Sequence, residues 1–176
     1  MGIENKIVYG HVARFSKTKN QDFTIDVFHK IQNQQDAVLL LIGVGNTEEE
    51  IKKKVKELNI ENKVLFLGFR TDVGNLLNAM DLFILPSIHE GLGNVVIESL
   101  TSGLPTFVSN GIPEEANISN NFHRINTFDA SEWAKEILNT KTGDRTYAYK
   151  DTIKAGFDIK DVSKQLEQIY TNLMKY

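Results

Sequence analysis

Glu90 and Glu98 stand eight residues apart around a short stretch containing two glycines, Gly91-Leu92-Gly93-Asn94-Val95. Gly91 and Gly93 let backbone approach a ligand closely, and the N–H groups that a helix leaves free at its start favour an anion there. Glu98 falls on the second turn of the helix that follows, too far along to cap it. A carboxylate in that place can bind a pair of vicinal hydroxyls, as acids do with ribose in dinucleotide folds. Glu90 sits in the loop itself. A second constellation lies near the N-terminus, where Arg14 and Lys19 are five apart in Ala13-Arg14-Phe15-Ser16-Lys17-Thr18-Lys19-Asn20. Arg offers a planar fork and Lys a mobile point charge, a combination that suits a diphosphate. Taken singly, these features also read as an ordinary helix start with an amphipathic acid, and as two solvated surface cations.

Their place in the chain argues for more. Apolar β-rich runs predict strands over 7–12, 37–42, 64–67, 82–85 and 106–109, with a short sixth near 122–126. Most lack period-two alternation, as expected of strands covered on both faces by helices. Helical spacing of apolar residues predicts helices over 21–33, 47–58, 72–80, 94–102, 131–139 and about 159–175, the last with Val162, Leu166, Ile169, Tyr170 and Leu173 on one stripe. Strands alternating with helices imply an α/β fold with a doubly wound, Rossmann-like parallel sheet. In a 3-2-1-4-5-6 strand order the sheet reverses between strands one and four, and ligands bind beyond the carboxyl ends of those two strands. The loops there are 13–20 and 86–94, which hold both constellations.

Composition narrows the classes. With 20 Lys+Arg against 23 Asp+Glu the net charge is −3, which argues against a nucleic-acid partner. The absence of cysteine excludes disulfide scaffolds, thiolate metal sites and thiol nucleophiles. No apolar run approaches the length of a membrane span and no signal peptide opens the sequence, so the expectation is a soluble cytosolic domain. The Gly43-Val44-Gly45 turn follows strand two and has Glu48 where a dinucleotide fingerprint needs a third glycine. No Asp-x-Asp occurs, and His11, His29, His89 and His123 show no metal-ligand spacing, so no metal is expected. His89 is read as a packing or backbone-bonding residue, and Trp133, Tyr147 and Tyr149 as core or lobe-contact residues. On the helix over 47–58, Glu48, Glu49 and Glu50 each precede a Lys by four residues, predicting three intrahelical pairs on a solvated face.

The span from Glu90 to Glu98 resembles the Glu-x7-Glu signature of retaining glycosyltransferases of the family 4 type, which have the two-lobed GT-B architecture. Other segments match in the correct order: Val12 to Asn20 is similar to the donor-phosphate loop, and Leu-Leu-Leu-Ile-Gly-Val-Gly to the second strand and glycine turn. Val-Leu-Phe-Leu-Gly-Phe-Arg-Thr-Asp-Val is similar to the third strand and nucleotide loop, and Ser-Gly-Leu-Pro-Thr-Phe-Val-Ser-Asn-Gly-Ile-Pro-Glu-Glu to the strand-five segment. Departures are Ala13 in place of a usual Gly, Gly93 where Pro is common and Ser99 where Ala is common; none removes a charge.

The resemblance implies the C-terminal, donor-binding lobe of a GT-B enzyme, with an N-terminal acceptor lobe outside this sequence and the helix over about 159–175 packing toward it. It implies catalytic roles for Glu90, Arg14 and Lys19, and donor contacts from Phe69 and Arg70 near the base, from Gly91, Leu92, Gly93, Asn94 and Val95 through backbone, and from Glu98 at the ribose. Arg14 and Lys19 would stabilise charge growing on the leaving diphosphate. The implied reaction is hexose transfer with retention from a nucleotide diphosphate sugar, UDP-sugar favoured and GDP-sugar the alternative, to a glycan or lipid-linked acceptor in surface polysaccharide synthesis. The nucleotide sugar is then a substrate, with no cofactor or metal. The implied location is cytoplasmic, with peripheral association at the cytoplasmic membrane face an option for the whole protein, and the lobe alone is expected to be inactive. A GT-B nucleotide-sugar epimerase is the alternative activity. A receiver-type signalling module fails for want of an Asp after strand three, where Leu67 is followed by Gly68 and Phe69.

Overall fold

The computed structural model describes residues 5–141, 143, 145, 146 and 148–174. Strands and helices alternate along the chain: β1 Ile7–Val12, α1 Gln21–Ile31, β2 Ala37–Ile42, α2 Glu48–Glu57, β3 Val64–Phe66, α3 Val73–Asn78, β4 Leu82–Leu85, α4 Asn94–Thr101 and β5 Thr106–Ser109. A single 3-10 turn, Glu114–Ala116, precedes β6 Phe122–Ile125, and then come α5 Ala130–Asn139, α6 Tyr149–Lys154 and α7 Ile159–Leu173. The strands form one sheet in the order β3-β2-β1-β4-β5-β6, and every pairing is parallel. The order is the 3-2-1-4-5-6 scheme entertained from the sequence, and it places the reversal of strand sequence between β1 and β4.

Neighbouring side chains of each strand point to opposite faces, and both faces are covered. Tyr9, Leu39, Leu41, Ile84 and Phe107 pack with Phe28, Ile31 and Trp133 under α1, α2 and α5. Val8, Val38, Leu40, Phe83, Leu85 and Val108 pack with Leu77, Val96 and Leu100 under α3 and α4. β2, AVLLLI, is buried at all six positions, which explains its unbroken apolar run. Trp133 is fully buried, sets its ring edge-on to Phe23, and donates Nε1–H to the Thr127 carbonyl at 2.7 Å.

Several expectations are corrected. Of the three Glu–Lys pairs on α2, Glu48–Lys52 forms at 2.9 Å, with Glu49 joining the same ammonium at 2.8 Å. Lys53 turns to Glu57, and Lys54 leaves its own helix to bind Asp22 and Asp26 of α1, each at 2.8 Å. The packing of α2 against α1 decides this, since it brings two carboxylates within reach of Lys54. Tyr149 stands half exposed on α6, a six-residue helix too short to show a period in sequence, so it is not a core residue here. Tyr147 lies outside the described residues. The amphipathic stripe of α7 exists, but none of its residues is buried.

Candidate functional site

Two adjoining cavities open beyond the carboxyl ends of the strands near the β1/β4 switch. The first, about 380 Å³, is lined by Val12, Ala13, Arg14, Lys19, Glu90, Leu92, Gly93, Asn94 and Val95. The second, about 540 Å³ and largely apolar, shares Val12, Ala13 and Arg14 and adds Ile42, Gly43, Val44, Gly45, Phe69, Arg70 and Val73. The fold thus brings together nine of the eleven residues anticipated as donor contacts. Gly91 and Glu98 line neither cavity among the described residues, although Glu98 lies on the second turn of α4 as expected. Burial pushes the Glu98 carboxyl above its ordinary value.

The loop after β1 is fixed from beneath. Gln21 is buried, donates its side-chain amide to the Arg14 carbonyl at 3.0 Å and accepts from the Ser16 N–H. Asn20, in the left-handed region at φ 57°, turns the chain into α1. The guanidinium of Arg14 is exposed and has no ion pair among the described residues, whereas Lys19 Nζ binds Glu90 Oε1 at 2.5 Å. Ser87 Oγ donates to the same carboxylate oxygen at 2.8 Å. Gly93, at φ 78°, caps α4, a conformation that glycine adopts without the steric cost other residues meet. The free N–H groups and positive dipole end of α4 therefore stand at the first cavity, alongside Arg14 and Lys19.

The second cavity differs in chemistry. Phe69 is 74% exposed, an unusual state for a large ring and one that offers an apolar face to a planar ligand. Arg70, assigned near a base, is engaged bidentately with Asp72 at 2.7 and 2.8 Å. That pairing pushes the Arg70 guanidinium up and the Asp72 carboxyl down. His89 is exposed beside Glu90, so packing is not its role. His11, which shows no metal-ligand spacing in the sequence, is fully buried one residue before the end of β1. Its Nδ1 meets Thr24 Oγ1 at 3.0 Å, its Nε2 is without a partner among the described residues, and burial first, then Lys19, holds its pKa down to about 3. Another groove, about 510 Å³ between α1 and α5, lies at the C-terminal end of α1, away from these loops.

Comparison with known proteins bears on the family and the fold. The family model "Glycosyl transferases group 1" matches residues 2–155. N-acetyl-alpha-D-glucosaminyl L-malate synthase of Bacillus anthracis is 30% identical over a 182-residue alignment, covering 98% of this chain and 47% of that protein. Putative glycosyltransferase EpsF of Bacillus subtilis (strain 168) is 34% identical over 112 residues, covering 63% of this chain and 29% of that one. The crystal structure of HepE from Anabaena in complex with UDP and glucose superposes with a TM-score of 0.82 at 24% identity, over 97% of this chain and 49% of that chain, a likeness of fold. The chain therefore spans half or less of the length of these relatives. With its six-stranded parallel sheet and this match over most of its length, the chain belongs to the group 1 glycosyltransferase family and has the Rossmann-like α/β fold of a GT-B lobe.

Proposed function

We propose that this chain is the donor-binding half of a retaining, metal-independent glycosyltransferase that takes a hexose from a nucleotide diphosphate sugar, with UDP as the favoured nucleotide. One observation carries the reading. Arg14, Lys19, Glu90 and the N-terminus of α4 converge on one cavity, which adjoins a second, apolar cavity faced by Phe69. The first suits a diphosphate and its sugar, the second a planar base.

In this reading the diphosphate draws Lys19 away from Glu90, so one cation exchanges a carboxylate for phosphate oxygens. Glu90 is then free to accept from hydroxyls of the hexose, and Glu98 from those of the ribose. As the bond between the anomeric carbon and the diphosphate oxygen breaks, negative charge grows on the leaving group. Arg14, Lys19 and the α4 amides are preorganised to meet it, and their advantage grows as charge develops. Neutralisation of the diphosphate thus falls on side chains and a helix end rather than on a metal. A second lobe would supply the glycan or lipid-linked acceptor and exclude water on closure, so the isolated chain would bind donor and transfer nothing. The cytoplasmic side is the proposed location; no helix among the described residues is long and apolar enough to cross a membrane.

Calorimetric titration of the chain with UDP, GDP and ADP tests the reading. UDP is expected to bind, and Arg14→Ala to weaken it about 10- to 100-fold, the worth of one charge-assisted hydrogen bond. Glu98→Ala is expected to weaken it by about tenfold through the ribose. No binding by any nucleotide, or binding that neither substitution alters, would refute it.

A further inference from the structure

Glu90 lies in a loop, yet four residues of that loop are tied, two on each side. Toward the loop after β1, the Pro86 carbonyl accepts from Asn20 Nδ2 at 3.3 Å and the Ile88 N–H donates to the Thr18 carbonyl at 2.7 Å. Toward the end of β5 and the loop after it, Ser109 Oγ donates to the Ser87 carbonyl, and the Glu90 N–H donates to the Gly111 carbonyl at 2.9 Å. Gly111 in turn donates its N–H to Ser109 Oγ at 3.3 Å, which closes the network. Ser87 and Ser109 are both buried, so the bond between them is made away from water, where an unmade partner is costly. The approach of the two loops also depends on the missing side chain at 111. A Cβ there would overlap the Ser87 carbonyl oxygen and lie 2.5 Å from the Ile88 carbonyl carbon, both of them backbone.

The consequence reaches the carboxylate. Ser87 Oγ and Lys19 Nζ both bind Glu90 Oε1, while Oε2 accepts no hydrogen bond among the described residues. One oxygen is thus held by the protein and the other is left for a ligand.

We propose that Ser109, the last residue of β5, and Gly111, on the loop that follows, are positioning residues that set the place of the Glu90 carboxylate for the donor sugar, acting through the Ser87 backbone and the Glu90 amide. Neither lines the two cavities of the candidate site. The proposal rests on the donor-site reading and adds to it a third loop that the phosphate-binding constellations do not include. Displacement of the 86–90 segment by even an ångström moves Glu90 relative to the sugar, and a site held that loosely loses much of its discrimination.

The test uses Ser109→Ala and Gly111→Ala in the chain, titrated separately with UDP and UDP-glucose, with amide exchange followed at Ile88 and Glu90. Thr106→Val serves as the control. It removes a buried hydroxyl bonded to Ser99 at the opposite end of β5, so it lowers stability without reaching the loop. Both test variants are expected to weaken UDP-glucose about tenfold and UDP by no more than about twofold, the mark of a lost sugar contact rather than a general loss of fold. Exchange at the two amides should accelerate in both variants and not in the control. Unchanged exchange, or UDP and UDP-glucose weakening together, would overturn the proposal. If the unsubstituted chain binds UDP-glucose and both variants bind it equally well, the proposal alone fails. If the unsubstituted chain binds neither ligand, the donor-site reading fails and takes the proposal with it.

Discussion

Replacing His11 by Asn should change how the chain responds to acid. His11 is fully buried, and its folded pKa, about 3, lies below the ordinary value of 6.5. Between those values the unfolded chain carries a proton that the folded chain does not, so the unfolded state binds more protons and stability rises with pH through this window. Lowering the pH through it therefore costs about 1.4 kcal/mol per unit. From about pH 6.5 to about pH 4.5 the accumulated loss is about 2–3 kcal/mol. Asn places an amide near the position of Nδ1, so the bond to Thr24 Oγ1 can persist while the titrating group is gone. Urea unfolding of both proteins across this range isolates the effect, because the other titrating groups largely cancel in the difference. At neutral pH the variant should be the less stable, by about 1 kcal/mol for the volume removed. The gap should close and then reverse toward pH 4.5. A difference constant within about 0.5 kcal/mol over the range would refute the claim that His11 is kept neutral by burial.

The remaining predictions concern the core and the last helix. Trp133→Ala should cost about 3–5 kcal/mol, because it empties a fully buried site and orphans the Thr127 carbonyl; thermal unfolding followed by circular dichroism would show it, and a loss under about 1 kcal/mol would contradict the packing. Leu166→Ser and Leu173→Ser, at residues 48% and 67% exposed, should each change stability by less than about 0.5 kcal/mol in the same measurement. A loss above about 1.5 kcal/mol would show that the α7 stripe is packed in this chain.

The alternation of strands and helices was legible in the sequence because its cause is local. Apolar runs that alternate with helical periods leave few topologies, and the two charged loops fell at the reversal point of the commonest one. The predicted bounds of β1, β2, β4 and β5 agree with the structure, and for β2 and β4 the reason is plain: each is an unbroken apolar run ended by Gly43 or Pro86. α6 was not legible because six residues hold fewer than two turns, and the 3-10 turn is shorter still. The stripe of α7 reveals that one face is apolar and says nothing about what covers it.

The candidate site divides in the same way. Arg14, Lys19, Glu90 and the glycines around Leu92 announce themselves because charge and conformational freedom are properties of residue type. Ser87, Ser109 and Gly111 do not: each is a common small residue, and its importance comes only from where a neighbouring carbonyl or amide stands. His11 likewise looks like any other histidine until β1 and α1 close over it and remove the water that would have let it take a proton. The sequence by itself determined most of the elements, their succession along the chain and the two loops that hold the charged residues, because backbone periodicity and side-chain type act over a few residues. The partners of each group were decided by tertiary structure alone: Lys54 with α1, Lys19 with Glu90, and the loop after β5 with the one after β4. Contacts of that kind join residues distant in the chain, at separations that no local pattern encodes.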